Sequence, residues 1–581
     1  MKIKHFLSLF FLLLCSFCIF AQDLKVKSMD SIFNLFAKNN CFNGNILVTE
    51  NNKPYFKYCL GYRDNFLKEP IQNNLVFNIG SISKPFTAIA ILQLHEKGII
   101  DINENVKKYI PEFPYDNICV KHLLSHTSGL KQSYEQIEDL GVNAVLNNDS
   151  VIPILSKYKP QLFALPGEEW IYSNIGYDIL PLIIERVTKM HFSDYMFNYV
   201  FKPAKMHRTF IPQNGEILKC LPVGIRAKDL LVPHEYKSIT DCNVTPVDTI
   251  NFIQTQRSFL FGSENVYSCL EDLSKFDLAL RSCKILSKEM QELAYTPFVL
   301  NNGEIAKDLN ASIPSYYGLG WYISIDTTQP KIIWHKGRSR GSRSVFLRVP
   351  EKKQVVSVTD NFDYSAVDLK GIALLRILND QKYRNPILIS LVQKLGCETT
   401  ASNVDNALLN FENRKNLERQ NYYISADEII QLSDLLIDQQ QITATKRILA
   451  YSKSIFQNPN IYSAYGKIML MELQFDSAKV NYYKAAELSE NGEAYLNELG
   501  YGMFLNNNNA YSEFILKINT ERYPNSANVF DSYAFILDKN DKITEAIEAQ
   551  KIAVKIATAN SDTLLNTFKI NLAALLLKKQ G

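Results

Sequence analysis

Three scarcities in this sequence each remove a class of protein. Among 581 residues there are 10 cysteines, with no CxxC pair and no regular spacing, so neither a zinc ribbon nor a redox dithiol motif is present. The eight that follow the N-terminal leader read as scattered core thiols, with Cys41 and Cys59 the one pair that a hairpin would bring together. Charge of one sign is also lacking: 63 Lys+Arg stand against 60 Asp+Glu, which leaves no broad basic face for nucleic acid. Beyond the N-terminus no apolar run is long enough to span a bilayer. What remains is an ordinary globular composition, 46% hydrophobic and 21% charged, over a length that implies two or more domains.

The N-terminus holds the one long apolar run. Lys2 and Lys4 precede a stretch from Phe6 to Phe20, and Ala21 supplies a small residue at its end, the pattern of a secretory signal peptide over residues 1–21. Cys15 and Cys18 follow Leu14 and Phe17, which are too large for a lipidation site. The expected location is therefore the periplasm or the exterior of a bacterial cell envelope, with no stable membrane span after cleavage.

From Ser28 to about Leu378 the periodicity is mixed. A short helix over Asp30 to Lys38 leads into two strand-like runs joined by the turn Asn51-Asn52-Lys53. A helical region follows, and then strands near 317–325, 331–336 and 342–360 and a last helix, VDLKGIALLRIL. Strands at both ends with helices between imply an α/β domain whose sheet is assembled from distant segments. Residues 381–424 read as a helical linker. From 425 to 579 the pattern is all helical and repeats every 34 residues: Gly466, Gly500 and Ala534 recur at that interval, as do Ala444, Ala478, Ser512 and Ala546. Small residues in such a register let paired helices approach closely, and 34 is the tetratricopeptide period.

Three segments carry residues able to do chemistry. In GSISKPFTAIA, Ser81 and Lys84 are three apart at a helix start, so a hydroxyl and an amine share one face. A buried lysine with a lowered pKa can activate such a hydroxyl, but a helix cap is the commoner fate of such a serine taken alone, and Ser-x-x-Lys recurs at Ser128 and Ser156. In YSNIGY, Tyr172 and Asn174 precede an apolar helix; a phenol near a lysine can relay a proton, while Tyr172 alone is equally a core aromatic. In IIWHKGRSRG, His335, Lys336 and Gly337 end an apolar strand, where glycine permits close backbone approach. Taken alone, that third segment is a basic strand end in solvent.

In this order the three segments resemble the penicillin-recognising serine hydrolases, in the branch of class C β-lactamases, D-alanyl-D-alanine carboxypeptidases, D-aminopeptidases and related esterases. VKHLLSHTSGL, PGEEWIYSNIGY and YGLGWYI are similar to family segments as well, and a Ser-x-x-Lys nucleophile paired with a distant basic strand motif is the arrangement of the β-lactamases. The resemblance covers about 28–380 and implies a β-lactamase/transpeptidase-like antiparallel sheet flanked by helices. It further implies that Ser81 is acylated, that Lys84 and Tyr172 share the base role, and that Tyr172 protonates the leaving group. Asn174, His335, Gly337 and Arg338 would bind substrate, with the N–H groups of Ser81 and Arg338 as the oxyanion hole. Lys336 departs from the family, which has a hydroxyl residue there, so Lys336, Arg338 and Arg340 are left to read a substrate carboxylate. Histidine at 335 points to the peptidase and esterase side and to pH-sensitive activity. His122 and His126 are four apart, but no glutamate follows His122, so hydrogen bonding is expected of them and neither a metal nor an organic cofactor. The expected partners are a small-molecule or peptide substrate and a protein docked on the repeats. The competing expectation is a catalytically inactive hydrolase fold whose repeats recruit a partner.

Overall fold

The structure is a computed structural model, and it describes residues 24–580 apart from 35, 37–41, 65–66, 135–136, 138–145, 214–216, 233, 236–244, 247–257, 327–328, 340, 362–365, 384–388, 402 and 418–421. The signal peptide expected over residues 1–21, Cys41 and Arg340 lie outside the described residues. The chain divides into two compact units, the first ending at Ile389 and the second taking Ser390–Gly581.

The first unit is organised by one eight-stranded antiparallel sheet. Its strands are β1 (Gly44–Glu50), β2 (Lys53–Leu60), β3 (Lys307–Asp308), β4 (Ser315–Tyr317), β5 (Tyr322–Ser324), β6 (Ile333–Ser339), β7 (Ser342–Val349) and β8 (Gln354–Asp360). They lie in the order β3-β4-β5-β6-β7-β8-β1-β2. β1 pairs with β8 from Gly44 opposite Asp360 to Glu50 opposite Gln354, so the sheet closes across nearly the whole unit. The β1–β2 turn has Asn51 and Asn52 at φ 51° and 65°, the left-handed geometry that a two-residue hairpin needs and asparagine tolerates.

Two sequence expectations shift here. The run 342–360 is a hairpin and not one strand, because Pro350–Lys352 form a 3-10 turn and Lys353 adopts φ 53°. The N-terminal helix occupies residues 24–34, beginning ahead of Asp30, since Met29, Ile32 and Phe33 supply its buried face.

Each face of the sheet is covered. Trp334, Val345, Leu347 and Val356 pack with Phe33 and with Leu374 of α4 (Val367–Leu378). On the opposite face Ile333, Phe346 and Val355 meet α1 (Ser83–Glu96). α1 is buried from Ser83 to Leu94, as a helix apolar on all sides must be. Phe86 stacks on Phe276 of α3 (Leu270–Arg281) with centroids 4.0 Å apart. Two buried charge pairs tie strands to helices: Arg348 Nε donates to Asp277 Oδ1 at 2.9 Å and Lys370 Nζ to Asp360 Oδ2 at 2.8 Å. Removing Asp277 would leave the buried Arg348 guanidinium without its carboxylate.

The second unit is helical hairpins. Phe475–Leu488, Asn509–Arg522 and Ile543–Ala559 are second helices whose starts fall 34 residues apart. The small residues of the register sit where helices cross: a Cβ on Gly466 would lie 3.0 Å from the Tyr482 ring, and Ala478, Ala534 and Ala546 are fully buried. Leu391–Ala401 and Val404–Leu417 are helices, and their Leu395 and Phe411 share one apolar cluster with Leu432 and Ile448. These residues therefore pack as part of the second unit. Cys397 is disulfide-bonded, so the chain is not one of thiols alone. Cys59 is free and donates to Asn73 Oδ1 at 2.8 Å, so it does not pair with Cys41.

Candidate active site

Ser81 lies on a 3-10 turn, Gly80–Ile82, that runs directly into α1. Neither element has a side-chain cap, so the capping role open to Ser81 in the sequence is not the one it takes. Its hydroxyl instead accepts a hydrogen bond from Lys84 Nζ at 3.0 Å. Lys84 is fully buried and donates twice more, to Asn174 Oδ1 at 2.7 Å and to the Ser263 carbonyl at 3.1 Å. Burial pushes its pKa down to about 7, while the charges of Asp178 and Glu264 hold it up. An amine in that range can take a proton from the adjacent hydroxyl near neutral pH.

Tyr172 and Asn174 arrive on the entry to α2 (Asn174–Thr188). Ser173 caps that helix, its Oγ accepting from Gly176 N at 3.1 Å, and its own N–H donates to His126 Nδ1 at 3.1 Å. His126 holds φ 59°, and its ring lies 4.2 Å from that of Tyr172, which fixes the phenol against Lys84 at 4.7 Å from ammonium to ring centre. The Tyr172 hydroxyl interacts with Ser81, and burial raises the phenol's pKa. Tyr172 is thus a protonated donor near neutrality, which leaves Lys84 as the group suited to take a proton.

β6 supplies the third wall. β5 pairs with β6 at Ile333 and Trp334, so among the described residues no strand lies beside that side of β6 from His335 onward. The Gly80–Ile82 turn fills part of the space. A Cβ on Gly337 would meet Ile79 O at 1.9 Å, and one on Gly80, which holds φ 53°, would lie 2.7 Å from Arg338 N. Only glycine at both positions lets the Arg338 peptide abut the peptide before Ser81.

The strand's alternation sorts its side chains. His335 and Gly337 are buried on the α1 face, whereas Lys336 and Arg338 are exposed. Lys336 Nζ lies 3.8 Å from Asp368 Oδ2 of α4. His335 Nδ1–H donates to Lys336 O at 2.7 Å, and Nε2 accepts from Tyr317 OH at 3.3 Å. Burial and the nearby Lys84 push its pKa down to about 3. His335 is a neutral imidazole, and the expectation that its titration makes activity pH-sensitive does not hold.

Four site residues carry no clear signal in the sequence. Ser263 acts through its backbone carbonyl, which no side-chain pattern reveals. Tyr177 places its ring 5.6 Å from Lys84 Nζ, and Glu264 and Asp178 act by charge; a lone Asp178 inside NIGYDILPLII was the visible hint. No group of three metal-ligating side chains occurs among the described residues. His122 Nδ1 accepts from Cys119 N at 3.1 Å.

Comparison with known proteins bears on this geometry. The "Beta-lactamase" family profile matches residues 32–379. "Penicillin-binding protein 4*" of Bacillus subtilis (strain 168) is 28% identical over 367 residues, covering 62% of this chain and 78% of the relative. The octameric penicillin-binding protein homologue from Pyrococcus abyssi superposes with TM-score 0.51 at 24% identity, over 61% of this chain and 78% of that one. The D-amino acid amidase from Ochrobactrum anthropi SV3 has TM-score 0.50 and 19% identity, over 61% of this chain and 98% of that one. These two structures share the fold of the first unit. The chain belongs to the β-lactamase family of serine hydrolases and penicillin-binding protein homologues.

Proposed function

We propose that the chain is an exported serine hydrolase that cleaves an ester or an amide, such as a D-amino-acid derivative or short peptide, through an acyl-serine intermediate. The observation that carries this reading is the buried Lys84 ammonium held at once by Ser81 Oγ and Asn174 Oδ1, at 3.0 and 2.7 Å. Neutral Lys84 takes the hydroxyl proton as Ser81 Oγ bonds to the substrate carbonyl carbon. The N–H groups of Ser81 and Arg338 receive the oxyanion, and each such donor contributes about a hundredfold or more in rate. When the carbon to leaving-group bond breaks, Tyr172 gives the leaving atom its proton and regains one from Lys84. Water then repeats the sequence on the acyl carbon and frees Ser81.

Two observations favour substrates without a carboxylate beside the scissile bond. Lys336 is engaged by Asp368, and His335 carries no charge near neutrality. Simple esters and D-amino-acid amides are thus expected to turn over faster than β-lactams. A disulfide at Cys397 supports an oxidising compartment outside the cytoplasm, and no helix among the described residues is long and apolar enough to cross a membrane. The 34-residue spacing of the second unit's helices supports a tetratricopeptide-like array that docks a protein partner.

The test is labelling of the full chain with a fluorophosphonate. Wild type is expected to be modified at Ser81 and Ser81→Ala to stay unlabelled; equal labelling of both removes Ser81 from its role. The departure at Lys336 favours one rival, a hydrolase fold kept only for binding. Turnover of a panel of p-nitrophenyl esters, D-amino-acid amides and β-lactams no faster than that of Ser81→Ala would establish the rival.

A further inference from the structure

Asp178 is a buried carboxylate to which acyl transfer gives no task. It stands four residues after Asn174 in α2, so the two side chains share a helix face, and it is fully buried. Tyr134 donates its hydroxyl to Oδ2 at 3.3 Å. Oδ1 has no well-formed hydrogen bond among the described residues, although the Ser263 hydroxyl interacts with the carboxylate. Ser263 is also the residue whose carbonyl accepts from Lys84 at 3.1 Å. Asn148 locks the same assembly: its Nδ2 donates to the Asp178 carbonyl at 2.8 Å and to the Phe261 carbonyl at 3.0 Å, and its Oδ1 accepts from Phe261 N at 2.8 Å. The segment that carries Ser263 is thereby fastened to the helix turn that carries Asp178.

A carboxylate with an unsatisfied oxygen is costly to bury unless a nearby charge offsets the loss of water. Lys84 is the cation that does so, and the two groups act on each other through space. Burial pushes the Asp178 carboxyl up and the Lys84 ammonium down, while each favours the other's charged form. The remaining titratable groups around Lys84 are Tyr172 and Tyr177, whose phenols stay protonated, and His126 and His335, which stay neutral. Glu264 adds a second negative charge from the segment that carries Ser263.

We propose that Asp178 is a positioning residue for the base: one helix turn beyond Asn174, its buried carboxylate engages the side chain of Ser263, whose carbonyl accepts from Lys84, and its charge favours the Lys84 ammonium. This rests on Lys84 acting as the base of the acyl-serine reaction. The sign follows from the charges. With no carboxylate at 178 the ammonium loses a stabilising partner, Lys84 becomes neutral at lower pH, and the acid limb of the rate profile moves down. A purely structural carboxylate would lower the amplitude and leave the limb where it was.

The experiment measures the second-order rate of fluorophosphonate labelling of the full chain from about pH 5 to about pH 9, with Ser81→Ala as the blank. For Asp178→Asn the acid limb is expected about one unit lower than in wild type, so that below the wild-type limb its rate, scaled to the plateau, is about tenfold higher. Wild type that shows no Ser81 labelling overturns both this proposal and the hydrolase reading. Wild type that labels with an acid limb, beside an Asp178→Asn limb that superimposes on it or moves up, overturns this proposal alone. If Asp178→Asn does not fold, Tyr134→Phe decides. Loss of the donor to Oδ2 favours the neutral carboxyl, so a smaller downward shift supports the proposal and an unmoved limb overturns it.

Discussion

The two units of this chain use small residues in opposite ways. In the first, Gly80 and Gly337 are far apart in sequence and meet once, each cleared of a Cβ so that one backbone segment can touch another. In the second, Gly466, Gly500 and Ala534 return every 34 residues, and at the two glycines a Cβ would press on a neighbouring helix's side chain. One unit concentrates its exceptions in a single place, and the other distributes them. A substitution in the first should therefore act on chemistry, and one in the second on local stability alone.

The largest expected effect is at Lys84. Lys84→Arg keeps a cation but cannot give up a proton, so labelling of Ser81 and any turnover are expected to fall about a thousandfold or more. In wild type the rate should rise through about pH 7 as Lys84 deprotonates, because burial lowers its pKa to about 7, and His335, lowered to about 3, should add no second step near neutrality. An Arg variant with wild-type labelling would give the base role to Tyr172. Next is Gly337→Ala. Its Cβ would stand 1.9 Å from Ile79 O, a backbone atom that can move only with the turn that carries Ser81. A displacement of that kind costs about a hundredfold in rate, and circular dichroism should show the fold retained. Loss of fold and activity together would mean that the glycine serves the sheet and not the site.

How much of this was legible follows the same division. The three chemical segments were visible because the residue types are unusual in those positions, yet Ser-x-x-Lys alone picked out three serines. The structure separates them: Ser128 Oγ accepts from Leu130 N at 3.4 Å and Ser156 Oγ donates to Glu112 O at 3.2 Å, while Ser81 accepts from its lysine at 3.0 Å. The α/β class followed from strands at both ends, and the pairing of Gly44 with Asp360 is the long closure such a pattern implies. The hairpin inside 342–360 is marked in the sequence by the polar break Pro350-Glu351-Lys352-Lys353 between two apolar runs. The pairing of Lys336 with Asp368 had no trace in the sequence, because one residue along a strand reverses the face and Asp368 belongs to a separate helix. Contacts through a carbonyl, as at Ser263, leave no trace in residue type.

The smallest expected effect tests whether the second unit is as local as its repeat suggests. Gly500 and Gly502 lie two apart on the helix Gly492–Leu505, and on an α-helix that spacing turns them to different faces. A Cβ on Gly500 would come within 2.6 Å of the buried Leu516 side chain, whereas one on Gly502 would meet nothing within 4 Å. Replacing an unobstructed helical glycine with alanine stabilises by about 1 kcal/mol. The same replacement at 500 gains as much in propensity but overpacks its neighbour, at a cost of about 1 to 3 kcal/mol. Hydrogen exchange of the amides in 492–505 should therefore slow in Gly502→Ala and quicken in Gly500→Ala, by about fivefold or less in the first case. Ser81 labelling should match wild type in both. A change in that labelling would break the division between the units, because it would mean that a helix of the second unit communicates with Ser81.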